Sequence, residues 1–77
     1  MDIKEFISNF AEQFDDLDAE KLTPQTEFMA LDDWNSLVAL SVIVMIDEEY
    51  DVTLKGNDIR EAKTLEGLFN TVCKKMD

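Results

Sequence analysis

Apolar residues Ile3, Phe6, Ile7, Phe10 and Phe14 recur at steps of three and four along the start of the chain, the spacing that lines one face of a helix. Asp2 and Glu5 stand at the start of that stripe in the relation of a capping box, and the pattern predicts an amphipathic helix over roughly residues 3 to 15. The period is then lost. Asp15-Asp16-Leu17-Asp18, Thr23-Pro24 and the alternation of Thr26, Phe28 and Leu31 predict a long connection up to Asn35. A loop of that length in a small domain usually carries function or is held by its own side chains, and Phe28 and Leu31 are the expected pins. A second helix is predicted from about Ser36 to Tyr50, nearly unbroken in apolar residues as far as Ile46 and ending in Asp47-Glu48-Glu49-Tyr50. With apolar residues around most of its circumference, it is expected to be the central element.

Val52-Thr53-Leu54 reads locally as a strand, yet three residues with no pairing partner elsewhere cannot build a sheet, so they are expected to form an extended link. After Gly56, Asn57 is expected to cap a short helix, Asp58 to Glu61, that inserts Ile59. Thr64 caps a last helix with Leu65, Leu68, Phe69, Val72 and Met76 on one face, and Lys74 and Lys75 complement its negative end. The expected fold is all-α: a small four-helix bundle of three main helices and one short one, with a long loop between the first two. The sequence contains no repeat or low-complexity tract.

Candidate chemistry gathers where the second helix begins, at Asp32-Asp33-Trp34-Asn35-Ser36-Leu37. The Asn35 amide oxygen can accept from a free backbone N–H one turn into the helix, which makes it a good N-cap. Ser36 then falls in the first turn, where unpaired N–H groups and the positive end of the helix dipole favour a phosphate ester. The plainer reading, a hydroxyl at a helix start and nothing more, leaves unexplained the long acidic loop before Ser36 and the apolar helix after it. The chain has no histidine, and a serine nucleophile needs a base, so no catalytic residue is expected and the protein is not expected to be an enzyme.

Charge narrows the partners. Eighteen acidic and seven basic residues give a net charge of −11 over 77 residues. Without a basic cluster to track a phosphate backbone, nucleic-acid binding is disfavoured, and partners with basic docking patches are favoured. The length suits one domain, residues 1–77, near the lower limit for a core without staples. Cys73 alone can make no internal disulfide, which fits a reducing compartment. Met1-Asp2-Ile3-Lys4-Glu5 lacks the basic leader and apolar block of a signal peptide, and the apolar run after Ser36 is about half of what a membrane crossing needs. A cytoplasmic monomer without membrane insertion is therefore expected. Asp16-Leu17-Asp18-Ala19-Glu20-Leu22 approaches a calcium loop but lacks its turn glycine and its bidentate glutamate, so no metal is expected.

Trp34-Asn35-Ser36-Leu37, the apolar helix, the Glu48-Glu49-Tyr50 end, Val52-Thr53-Leu54 and Ile59 together resemble the acyl carrier protein family, and the resemblance covers essentially the whole chain. In that family an Asp-Ser-Leu triplet holds the serine that bears 4′-phosphopantetheine, and Ser36 is the matching position. Asn35 departs from the family's Asp: it keeps the cap and removes a charge that partner enzymes read. The resemblance implies a covalent 4′-phosphopantetheine drawn from coenzyme A, a phosphopantetheinyl transferase as partner, and acyl-loading, acyl-transfer and condensing enzymes with basic patches. Asp33, Asn35, Leu37, Val38, Leu40, Asp47, Glu48 and Glu49 would meet those partners, and Val42, Met45, Ile46, Leu54 and Ile59 would line a slot for an acyl chain. Val38 and Ser41 stand where familiar fatty-acid carriers are acidic, which implies a specialised fatty-acid, polyketide or lipid-type pathway carrying acyl or aminoacyl thioesters. The competing expectation is an unmodified acidic adaptor that docks through the same helix. Trp34 is expected to shield the base of the arm or to pack on the loop.

Overall fold

The computed structural model describes residues 2–14 and 17–76. Its helices are α1 (Ile3–Ala11), α2 (Ser36–Tyr50), α3 (Gly56–Ala62) and α4 (Leu65–Met76), with short 3₁₀ turns at Ala19–Lys21 and Phe28–Ala30. The fold is all-α, as the periodicities predict. Asp15 and Asp16, the expected end of the first helix and opening of the connection, lie outside the described residues.

Asp2 caps α1 by accepting from the Lys4 backbone N–H at 3.0 Å, without the return bond a full capping box needs. The α-helix stops at Ala11, earlier than its apolar spacing suggests. Tighter three-residue bonds, Gln13 N to Phe10 O and Phe14 N to Ala11 O at 3.1 Å each, continue the turn and bring Phe14 into the core, so the stripe outlasts the helix. Phe6, Phe10, Phe28, Val42, Ile46, Leu65, Leu68 and Val72 are fully buried, and the core forms where α1, the Phe28 turn and α4 meet one side of α2. Phe28 pins the long connection as expected, while Leu31 is only partly buried against the core.

α2 is not the central element. Val42, Met45 and Ile46 are its buried residues, whereas Leu37, Leu40 and Val44 remain 74%, 57% and 47% exposed. Its blurred periodicity arises because the outward face is also apolar, not because protein surrounds it.

The connection is fastened to the start of α4: Leu65 N donates to Thr26 O at 3.0 Å and Glu66 N to Pro24 O at 2.8 Å, giving partners to amides that a helix start leaves free. Thr64 caps the same end, its hydroxyl accepting from Gly67 N at 3.1 Å. Val52 and Leu54 are buried and Thr53 is exposed in a link between α2 and α3 that is neither helix nor strand. α3 begins two residues earlier than its sequence suggests. The Asp58 carboxylate accepts from Lys55 N at 2.9 Å, so Lys55 holds the cap position and Asn57 lies inside the first turn.

Candidate functional site

Ser36 is the first residue of α2 and is exposed. Asn35 before it is extended, at φ −155° and ψ 177°; its side-chain oxygen accepts from Val38 N at 2.9 Å and its amide donates to Asp33 O at 3.3 Å. The cap predicted from sequence is therefore present. The first main-chain bond of the helix runs from Ala39 N to Asn35 O at 2.9 Å. Among the described residues the N–H groups of Ser36 and Leu37 have no acceptor, and they lie at the positive end of a fifteen-residue helix. An exposed hydroxyl beside free amide donors suits a phosphodiester sterically and electrostatically.

The approach to Ser36 is held by aromatic packing. Trp34 meets Phe28 edge-on with ring centroids 5.1 Å apart, stacks on Phe10 at 6.3 Å and reaches Phe14 at 6.4 Å, while its backbone N–H donates to Leu31 O at 3.0 Å. Trp34 thus packs on the loop, which fixes the segment carrying Asn35 and Ser36 to α1.

Asp33, Asn35, Leu37, Leu40, Asp47, Glu48 and Glu49 are exposed and Val38 is half-buried. The carboxylates do not form one patch: Asp33 and Asp47 stand at opposite ends of α2, roughly 20 Å apart by helix rise, with Leu37, Leu40 and Val44 between them. Val44 belongs to this face and is hidden from sequence reading by its place in a continuous apolar run. At the far end Asp51 adopts the left-handed conformation, φ 56° and ψ 40°, and closes the helix by donating from its N–H to Asp47 O at 3.0 Å.

Val42, Met45, Ile46, Leu54 and Ile59, the expected acyl lining, are all buried in the core cluster, and none of them lines the cleft beside Ser36. The open space near Ser36 lies elsewhere. A cleft of about 340 Å³ is lined by Gln13 and Phe14 after α1, by Asp33 and Asn35, and by Leu37, Val38 and Ser41 of α2. Sequence reasoning missed Gln13 and Phe14, because only tertiary packing brings the end of α1 against the start of α2. At the other end of α2, Asn9 Nδ2 donates to the Tyr50 hydroxyl at 2.9 Å. Burial pushes the Tyr50 phenol above its ordinary pKa; the Asn9 bond opposes that shift, and the nearby Glu5 and Glu49 charges add to it.

Among the described residues no group of three or more acidic, histidine or cysteine side chains could hold a metal, and no helix is long and apolar enough to cross a membrane. The family described as the phosphopantetheine attachment site matches residues 5–72. The chain is also similar to Polyketide-8 synthase acyl carrier protein 2 of Streptomyces avermitilis, 31% identical over 61 residues that make up 79% of this chain and 70% of that protein. No solved structure matches the chain.

Proposed function

The chain belongs to the phosphopantetheine-binding family of acyl carrier proteins, whose members bear a covalent 4′-phosphopantetheine, and from that membership we propose that Ser36 is the attachment residue. The observation that carries the reading is the exposed Ser36 hydroxyl at the capped, positively polarised start of α2. When bound, the arm supplies a thiol on which an acyl or aminoacyl group is held as a thioester. In loading, the Ser36 oxygen forms a bond to the β-phosphorus of coenzyme A, the pyrophosphate bond breaks, and adenosine 3′,5′-bisphosphate leaves. The proton passes to a base on the transferase, because this chain has no histidine to take it. The free amides of Ser36 and Leu37 would then face the phosphodiester formed there.

Residues 1–77 act in this reading as one carrier domain that shuttles thioesters between cytosolic enzymes. Leu37, Leu40 and Val44 give those enzymes an apolar contact, and Asp33 at one end with Asp47, Glu48 and Glu49 at the other give charges for basic patches to read. Carboxylates at a helix C-terminus work against its dipole by about 0.3–1 kcal/mol each, a cost that partner recognition would explain and helix stability would not. A polyketide-type pathway fits best, since Val38 and Ser41 remove charge from the first half of α2 and the similar Streptomyces protein is named for a polyketide synthase.

The test is an intact mass before and after incubation with coenzyme A, magnesium and a broad-specificity phosphopantetheinyl transferase. A gain of one phosphopantetheine that disappears in Ser36→Ala is the expected result. No gain in the wild type together with a gain in Asn35→Asp would mean that the departure at Asn35 restricts the transferase. No gain in either folded protein would favour an unmodified adaptor docking through α2.

A further inference from the structure

We propose that the phosphopantetheine arm rests in the cleft between the end of α1 and the first turns of α2, against Gln13, Phe14, Val38 and Ser41; this rests on Ser36 being its attachment point. The first ground is where space exists. The apolar residues beneath α2 that could shelter a chain, Val42, Met45, Ile46, Leu54 and Ile59, are packed into the core, whereas the cleft of about 340 Å³ is already formed. That volume lies within the range of about 300–1,000 Å³ typical of small-molecule sites. The second ground is proximity: Asn35 and Leu37, the two chain neighbours of Ser36, both line the cleft, so an arm on Ser36 starts beside it.

The third ground is chemical match. A pantetheine chain is neutral and carries two amides, one hydroxyl and a dimethyl-substituted carbon, so it needs donors and acceptors interleaved with apolar contact. The Gln13 side chain donates from Nε2 to Asn9 O at 3.1 Å, which turns its carbonyl oxygen away as a free acceptor. Among the described residues no hydrogen bond uses the Ser41 hydroxyl or the Asp33 carboxylate, and both line the cleft. Phe14, Leu37 and Val38 supply apolar wall for the dimethyl carbon. An alkyl chain would offer these polar groups no hydrogen bonds, whereas the arm's amides and hydroxyl can replace their water, so the cleft suits the arm better than a fatty cargo.

The test compares amide nitrogen–proton spectra of the full chain before and after loading, with mass confirming the gain. In loaded protein the shifts at Gln13 and Ser41 are expected to exceed those at Leu40 and Val44 on the exposed side of the same helix, and contacts are expected from the arm's methyl protons to Phe14 and Val38. Ser41→Leu, which fills the cleft from a half-buried position, is expected to reduce the Gln13 shift at least twofold in the molecules that have gained mass. Loaded protein whose shifts stay within Asn35–Leu37, or move to Leu54 and Ile59, would overturn the cleft while leaving attachment at Ser36 intact. Absence of mass gain in both the folded wild type and folded Asn35→Asp would overturn both.

Discussion

At the scale of single residues, Tyr50 makes the pH response of this fold testable. Its phenol packs against Phe6, with ring centroids 5.8 Å apart, and accepts from Asn9 at 2.9 Å. Burial is the largest cause of its raised pKa. The folded protein therefore holds the phenolic proton more tightly than the unfolded chain does. The stability this contributes is complete below the unfolded value of about 10 and is lost as pH rises through the higher folded value. Melting temperature is expected to fall more steeply above pH 10 in the wild type than in Tyr50→Phe, a comparison that cancels the lysines titrating in the same range. Tyr50→Phe should also cost about 1 kcal/mol near neutrality through the lost Asn9 bond. Parallel pH curves for the two proteins would count against the assignment. Asn35 and Ser36, by contrast, were legible without any tertiary context, because an N-cap is decided by a side chain and amides three residues away.

Among the elements, the joint between α3 and α4 is the place where backbone geometry opposes ordinary preferences. Lys63 has φ 64° and ψ −53°, and Thr64 N donates to Ala62 O at 2.7 Å, a tight turn that is strained for any residue with a side chain. The same carbonyl lies so close to Gly67 that a Cβ there would stand 2.1 Å from it. Gly67→Ala would gain about 1 kcal/mol of helix propensity, but the overlap with fixed backbone costs about 1–3 kcal/mol or more, so a lower melting temperature is expected. Lys63→Gly relieves strain of about 1–3 kcal/mol against about 0.4–1 kcal/mol of added unfolded-chain freedom. Its melting temperature should rise by a few degrees. A stabilised Gly67→Ala in thermal melts would show that this carbonyl contact is not maintained. The sequence marks the starts of α2 and α4 well, since Asn35 and Thr64 carry their own caps, but it misplaced the start of α3, and nothing local marks Lys63 as a residue of positive φ.

Over the whole molecule, charge is segregated along the chain. Residues 1–54 hold fourteen of the eighteen carboxylates and two of the seven cations, a balance of −12, while residues 55–77 carry +1. The ion pair between Lys75 and Asp58, at 3.8 Å, lies in the balanced part and is too exposed to contribute much. Repulsion over the acidic part must be offset by a small core, so screening should stabilise the fold. Sodium chloride and divalent cations are both expected to raise the melting temperature, with most of the gain complete by a few tenths molar salt. A melting temperature that is flat or falls with salt would refute this.

What the sequence alone determined is whatever depends on neighbours a few residues apart: the four helices, the cap at Asn35, the serine in the first turn after it, the non-helical link through Val52 and Leu54, and the acidic balance. Periods of three and four and side-chain caps are local physics, and folding preserves them. Tertiary structure decided which side of a helix is inside. The all-round apolar character of α2 could not reveal that Leu37, Leu40 and Val44 face outward, because that depends on where α1, Phe28 and α4 pack. The cleft is tertiary for the same reason: Gln13 and Ser41 lie 28 residues apart in the chain, and only the aromatic packing of Trp34 on Phe10, Phe14 and Phe28 fixes the two helix ends that bring them to one site.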